Sequence, residues 1–232
     1  MSSSHVLLAS LLFVSVSCTS LSPDAQTLTK GKQTATSTAE AQQRLQRGNA
    51  RFVAGRPLHR DQVKQVEETS HHQFPFASVV SCIDSRTSTE LIFDQGIGDV
   101  FNARVAGNIV NADILGSLEY ASKVAGSKLI AVIGHTHCGA IKGACDHVVL
   151  GNLTGLLSKI EPAVAATPTK TGEERSSKNA AFVDHVAEKN VLLTMANIRK
   201  QSAILNEMEK AGQIKIIGGM YDIETGKVTF LE

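Results

Sequence analysis

Two short stretches carry side chains able to do metal chemistry: Cys82-Ile83-Asp84-Ser85-Arg86 and His135-Thr136-His137-Cys138. Cys82, His135 and Cys138 form a Cys2His set. Two thiolates and an imidazole suit zinc, and three protein ligands leave its fourth tetrahedral position open, as catalytic rather than structural sites do. Zinc lowers the pKa of a bound water to about 7. Two thiolates soften that effect by donating charge, so a working pH somewhat above neutral is expected. Asp84 and Arg86 follow Cys82 at intervals of two, which in an extended segment places all three on one side. The guanidinium fork fits a carboxylate bidentately and keeps it ionised. Such a carboxylate can take the fourth metal position and block it. It can instead pair with Arg86 and accept a hydrogen bond from bound hydroxide, aiming the nucleophile. Without the neighbouring cysteine, Asp84 and Arg86 would read as an ordinary surface ion pair of little energetic weight. His137 competes with His135 as a ligand. A strand-to-helix turn presents only one of them easily, and His135 is favoured. His71 and His72 read as solvated loop residues, and Cys145 as a small buried hydrophobe.

The elements around these stretches explain how distant ligands meet. Residues 76–81 form a continuous apolar run and residues 128–134 one that is apolar almost throughout, both expected as buried strands that end where the ligands begin. Residues 100–105, 214–221 and 227–231 are expected as further strands, the last two joined across a Glu-Thr-Gly turn. Helices are expected over 41–53, 90–93, 113–124, 153–160 and 180–199. The first opens on a capping box, Ser37-Thr38-Ala39-Glu40, with Leu45, Phe52 and Val53 as apolar anchors. Gly126 ends the helix over 113–124. Strands that are apolar throughout and alternate with helices indicate an α/β fold. It is a single domain with a mostly parallel central sheet flanked by helices, plus an N-terminal helical arm able to reach a neighbouring subunit. In such sheets ligands sit beyond the carboxyl ends of the strands. Two other patterns fail on inspection. Gly134 to Gly139 has the outer spacing of a phosphate loop but lacks its Lys, and Gly96-Ile97-Gly98 precedes a strand rather than a helix.

The chain has 232 residues and a formal net charge of +1, which gives no electrostatic reason to expect nucleic acid as a partner. Four cysteines are too few and too unevenly placed for a disulfide scaffold. Residues 6–16 form an apolar run of signal-peptide length, too short to span a bilayer. Ser15-Val16-Ser17-Cys18 resembles a bacterial lipoprotein cleavage box. No Lys or Arg precedes the run, and Ser15 stands where such boxes carry Leu. The expected division is therefore a signal peptide over 1–18, a flexible tether over 19–37 and a catalytic domain over 38–232. The protein is expected to be exported, periplasmic or anchored through lipid on Cys18, and otherwise cytoplasmic.

Taken together the motifs resemble those of the β-class carbonic anhydrases. They comprise Cys82-x-Asp84-Ser85-Arg86, Arg104-Val105-Ala106-Gly107-Asn108, Gly134-His135-x-x-Cys138-Gly139 and the Gly-Asn-x-Arg-Phe element from Gly48 to Phe52. The resemblance runs from about Glu40 to the C-terminus. It implies one zinc per chain on Cys82, His135 and Cys138, an Asp84–Arg86 dyad, and reversible hydration of CO2 to bicarbonate. It also implies a substrate pocket of Gln73, Phe101, Ala106 and Tyr120, and a homodimer or homotetramer in which Gln73 and Tyr120 face a zinc held by the other chain. Some bacterial members have a regulatory bicarbonate site that includes a Trp; this chain has no Trp. Two other readings stand beside this one. The same scaffold could hydrolyse carbonyl sulfide or carbon disulfide, or serve as a non-catalytic zinc-binding or thiol-redox module, for which the Asp84–Arg86 pair has no use.

Overall fold

The structure is a computed structural model that describes residues 22–231. The expected signal segment and Cys18 lie outside the described residues.

In chain order the elements are α1 (Lys30–Ala35), α2 (Thr38–Val53), α3 (Gln62–Thr69), β1 (Ala77–Ser81), α4 (Thr89–Ile92), β2 (Val100–Arg104), α5 (Ala112–Glu119), β3 (Leu129–His135), α6 (Gly139–Cys145), α7 (Gly151–Leu157), α8 (Glu161–Ala166), α9 (Ala180–Gln201), α10 (Ala203–Lys210), β4 (Lys215–Tyr221) and β5 (Val228–Leu231). The strands form one five-stranded sheet in the order β2-β1-β3-β4-β5. The first four are parallel and β5 returns antiparallel to β4. After β1 the chain adds β2 on one side and then β3 on the other. The order therefore reverses between β1 and β3, and the crevice beyond their carboxyl ends is where open α/β sheets bind ligands.

Every residue of β1 and β3 is buried, as expected of central strands covered on both faces. Side chains alternate between two cores. Val79, Leu129, Ala131 and Ile133 pack with Leu45 of α2 and with Phe76 and Phe93. Val80, Ile130 and Val132 pack with Leu118 of α5 and with Val191 and Ile198 of α9. A third cluster joins Cys82 and Cys138 to Ile141 of α6, Ile160, and Phe182 and Val186 of α9, so the metal-bearing loops rest on a packed floor.

Half of the capping box is present: the Ser37 side chain accepts the Glu40 N–H at the start of α2, while the Glu40 carboxylate pairs with Arg47. Ala41 and Leu45 of this helix are buried against the chain's own sheet, Phe52 is half-buried and Val53 is exposed. The helix expected as an arm thus spends its apolar face on its own subunit. Arg44 on the same helix forms a buried ion pair with Asp99 at 3.0 Å and lies over the Phe76 ring.

The described part of the segment expected as a flexible tether is also built into the fold. Ala25, Leu28 and Gln33 are buried. The Gln33 amide donates to the carbonyls of Pro75 and Ala125, both at 2.8 Å. The Asp24 carbonyl accepts from Arg44 and Arg60, and its carboxylate meets Arg47 and Arg51. Polar side chains and backbone hold this segment, which is why an apolar pattern does not announce it.

The helix expected over 113–124 divides. After α5, residues Tyr120–Val124 widen into a π turn, and Gly126 leaves it at φ 83°.

Candidate metal centre

β1 and β3 are paired neighbours with Ser81 opposite Ile133. Cys82 follows the end of β1, and His135 is the last residue of β3. Adjacent strands run about 4.8 Å apart, so ligands far apart in sequence meet here without any long reach. Cys138 sits at the N-cap of α6, just across the turn from His135.

The three side chains converge. Their donor atoms all lie within 4.8 Å of one another, and they form the one such His/Cys/carboxylate group found among the described residues. The Cys82 and Cys138 sulfurs are 4.0 Å apart. A tetrahedral zinc with Zn–S bonds of about 2.3 Å sets two sulfurs about 3.8 Å apart, so the pair is spaced for a shared cation. All three residues are buried, His135 to 1% exposure. The His135 Nδ1 lies 2.9 Å from the Thr136 carbonyl oxygen, which assigns the ring proton to that nitrogen. Nε2 then carries a bare lone pair, and it has no hydrogen-bond partner among the described residues. A buried, unpartnered imidazole nitrogen facing two thiols is costly to the fold unless a cation fills the site. The donor set and its geometry fit zinc.

The two thiols interact, so that losing one proton hinders losing the other. The Cys82 thiol is pulled down, first by its hydrogen bond with Cys138 and also by the Gly107 N–H, which lies 3.4 Å from its sulfur. The Cys138 thiol is pushed up by Cys82 and by burial. One thiolate therefore forms readily, and the second requires a positive charge between them. Gly107 has φ 71°, and a Cβ there would come within 2.5 Å of Ile160 Cδ1, so glycine is needed for the loop to bring its amide to Cys82.

Asp84 and Arg86 form the expected bidentate pair, with Arg86 Nε and Nη2 donating to the two carboxylate oxygens at 2.9 and 2.7 Å. The Arg86 backbone N–H adds a third bond at 3.0 Å. These bonds hold the Asp84 carboxyl well below the usual carboxylate range. Its Oδ2 is 4.0 Å from His135 Nε2, beside the point where the ligand atoms converge. Arg104, the first residue of the Arg-Val-Ala-Gly-Asn segment, fixes the loop by donating to the carbonyls of Cys82 and Asp84 at 2.9 and 2.7 Å.

His137 turns away from the centre. Its amide donates to Asp184 and its ring meets Glu224 at 3.4 Å. His71 and His72 are exposed, and Cys145 is a buried thiol outside the group of three. Burial pushes the Cys145 thiol up to about 11.

The four expected substrate residues are not gathered within one chain. Phe101 on β2 and Tyr120 beyond α5 meet edge to face with ring centroids 6.4 Å apart, and they line a cavity of about 640 Å³. None of the metal-site residues lines that cavity. Ala106 lies half-buried in the turn after β2, and Gln73 is exposed before β1. Sequence reasoning missed Asp184 and Asn190, which reach the ligand loops from α9 through backbone groups.

Comparison with known proteins agrees with this geometry. The sequence profile described as carbonic anhydrase matches residues 77–228. The chain is 35% identical over 189 residues to carbonic anhydrase 2 of Mycobacterium tuberculosis, covering 79% of this chain and 87% of the relative. The structure of the Coccomyxa β-carbonic anhydrase in complex with acetazolamide superposes with a TM-score of 0.63 at 27% identity, covering 71% of this chain and 75% of that one. A β-carbonic anhydrase from Aspergillus fumigatus gives a TM-score of 0.63 at 25% identity, covering 73% of this chain and 81% of that one. The profile spans β1 to β4 and all three converging donors, and the chain belongs to the carbonic anhydrase family, in its β class.

Proposed function

We infer that the chain catalyses the reversible hydration of CO2 to bicarbonate and a proton. The observation that carries this reading is the Asp84–Arg86 pair placed 4.0 Å from a buried, bare His135 nitrogen within a Cys2His group. Cys82, His135 and Cys138 would hold one zinc ion. When bound, zinc acidifies a water molecule so that a hydroxide nucleophile is available near neutral pH. Arg86 keeps Asp84 ionised and therefore acceptor-only. Asp84 Oδ2, beside the converging ligand atoms, would accept the proton of that nucleophile in a hydrogen bond and so orient it towards the substrate. A non-catalytic site has no use for that carboxylate, and neither the family profile nor the relatives above point to sulfur-containing substrates.

The substrate pocket is assigned to two chains. β2 is an edge strand, so one side of it is unpaired among the described residues. Tyr120, whose ring meets Phe101 of this strand, is 53% exposed. An open strand edge bordered by aromatic side chains favours a second copy of the same chain. In that homodimer Gln73 and Tyr120 face the metal centre of the other subunit. Gln73 donates to a substrate oxygen, while Phe101 and Ala106 supply the apolar wall that CO2 requires.

Export is proposed from the sequence alone, with cleavage before Cys18 and lipid on that residue. Among the described residues no helix is long and apolar enough to cross a membrane.

The test of function is the CO2-hydration rate of wild type and Asp84→Asn against pH, with zinc quantified in both. An amide can donate to the nucleophilic oxygen and loses the pair with Arg86. The rate should fall about 10²-fold or more with zinc content retained. An Asp84→Asn protein with the wild-type rate and pH profile contradicts the assigned role.

A further inference from the structure

Helix α9 runs beside both loops that carry the metal ligands, and two of its side chains reach into them. Asp184 Oδ1 accepts the backbone N–H of His137 at 3.0 Å. Asn190 Nδ2 donates to the Gly107 carbonyl at 2.7 Å. The two residues are separated by about 9 Å of helical rise. Neither hydrogen bond involves a ligand atom.

What each one holds is unusual backbone. His137 has φ 56°, a left-handed conformation that a non-glycine residue keeps only when its surroundings enforce it. It immediately precedes Cys138, so its conformation decides where that sulfur points. Gly107 is also left-handed, and its own N–H faces the Cys82 sulfur. The Asn190 side chain, on a residue only 2% exposed, fixes the carbonyl of the residue whose amide serves that sulfur. One rigid helix thus braces the Cys82 side and the Cys138 side of the centre together. The floor below it, with Phe182, Val183 and Val186 of α9 packed around the two cysteines, gives the brace little freedom to move.

We propose that Asp184 and Asn190 are positioning residues of the metal centre, holding the two ligand loops at the separation metal binding needs and so setting how fast zinc is lost. The proposal rests on Cys82, His135 and Cys138 being the zinc ligands.

The test follows zinc transfer from the loaded full chain to an excess of a colorimetric chelator. Wild type is compared with Asn190→Leu, Asp184→Ala, Asp184→Asn and Leu205→Ala. Asn190→Leu and Asp184→Ala should release zinc about 10- to 100-fold faster, the usual size of a lost outer-sphere partner. Asp184→Asn keeps an oxygen acceptor for the His137 amide and should stay close to wild type. Leu205 is buried in a different cluster, and its truncation loosens the fold without touching either loop. Its release rate should match wild type. In cobalt-substituted protein the thiolate-to-metal absorption bands should shift in Asn190→Leu, because the Gly107 amide no longer addresses Cys82 correctly. Wild-type release from both Asn190→Leu and Asp184→Ala overturns the proposal. So does equal acceleration by Leu205→Ala, which would mean that global loosening is responsible. If Asn190→Leu does not fold, Asp184→Ala against Asp184→Asn decides alone. A wild-type chain that binds no zinc defeats the ligand assignment itself, and the proposal with it.

Discussion

Two cysteines, one histidine and one ion pair carry most of the chemistry. Their types were legible in sequence because each of the two motifs begins where an apolar run ends. What was not legible is how backbone groups tune them. The Thr136 carbonyl sets the His135 tautomer and the Gly107 amide addresses Cys82, and a backbone acceptor or donor leaves no trace in residue type. Cys138→Ser should lose both zinc and activity, because a neutral hydroxyl is a poor replacement for thiolate. Cys145→Ser should leave zinc content unchanged, and metal analysis of the two purified variants checks both statements. Arg86→Ala bears on Asp84 in another way. The pair lowers the folded carboxyl below its unfolded value, so its contribution is fully present above about pH 4 and fades only as pH falls through the lowered value. Removing Arg86 should return the carboxyl towards its ordinary range. Carbon NMR titration of the zinc-free protein would show the midpoint rising, and identical midpoints in the two proteins would rule the effect out.

At the scale of elements, continuous apolar strands and a capped helix could be read directly, and the sheet has the expected mostly parallel form. Elements without an apolar stripe could not. In α3 only Gln65 is buried, while Val63 and Val66 are exposed, so hydrophobic periodicity has nothing to report. The same cause explains the segment that begins near Asp24, which buries only Ala25 and Leu28 as apolar side chains and is otherwise fastened by arginines and by Gln33. Gln33→Ala would leave two carbonyl groups without their donor. It should cost roughly 1–3 kcal/mol, the usual penalty for unsatisfied buried polar groups. Chemical denaturation measures it, and no change in midpoint would mean that this segment acts as the loose tether first expected.

For the whole molecule, the exposed β2 edge and the dispersed substrate residues make the assembly part of the catalytic argument. Sedimentation should show at least a dimer, and a fully active monomer would show that Gln73 and Tyr120 need no second chain. Membrane attachment, proposed through Cys18, would have its own geometry. Asp24 stands six positions after Cys18, a span of at most about 20 Å when extended. A lipid on Cys18 would therefore keep the catalytic domain close to the bilayer. Intact mass of the mature N-terminus distinguishes lipidated, cleaved and unprocessed chains.

The central claim is that the Cys82–His135–Cys138 centre makes this chain a zinc-dependent CO2 hydratase. Stopped-flow measurement of CO2 hydration on wild type, on protein stripped of zinc and on the same protein reloaded tests it most directly. The account predicts a rate proportional to bound zinc up to about one ion per chain, lost on stripping and regained on reloading. Zinc-loaded protein that hydrates CO2 no faster than buffer, or stripped protein as active as loaded, would contradict it.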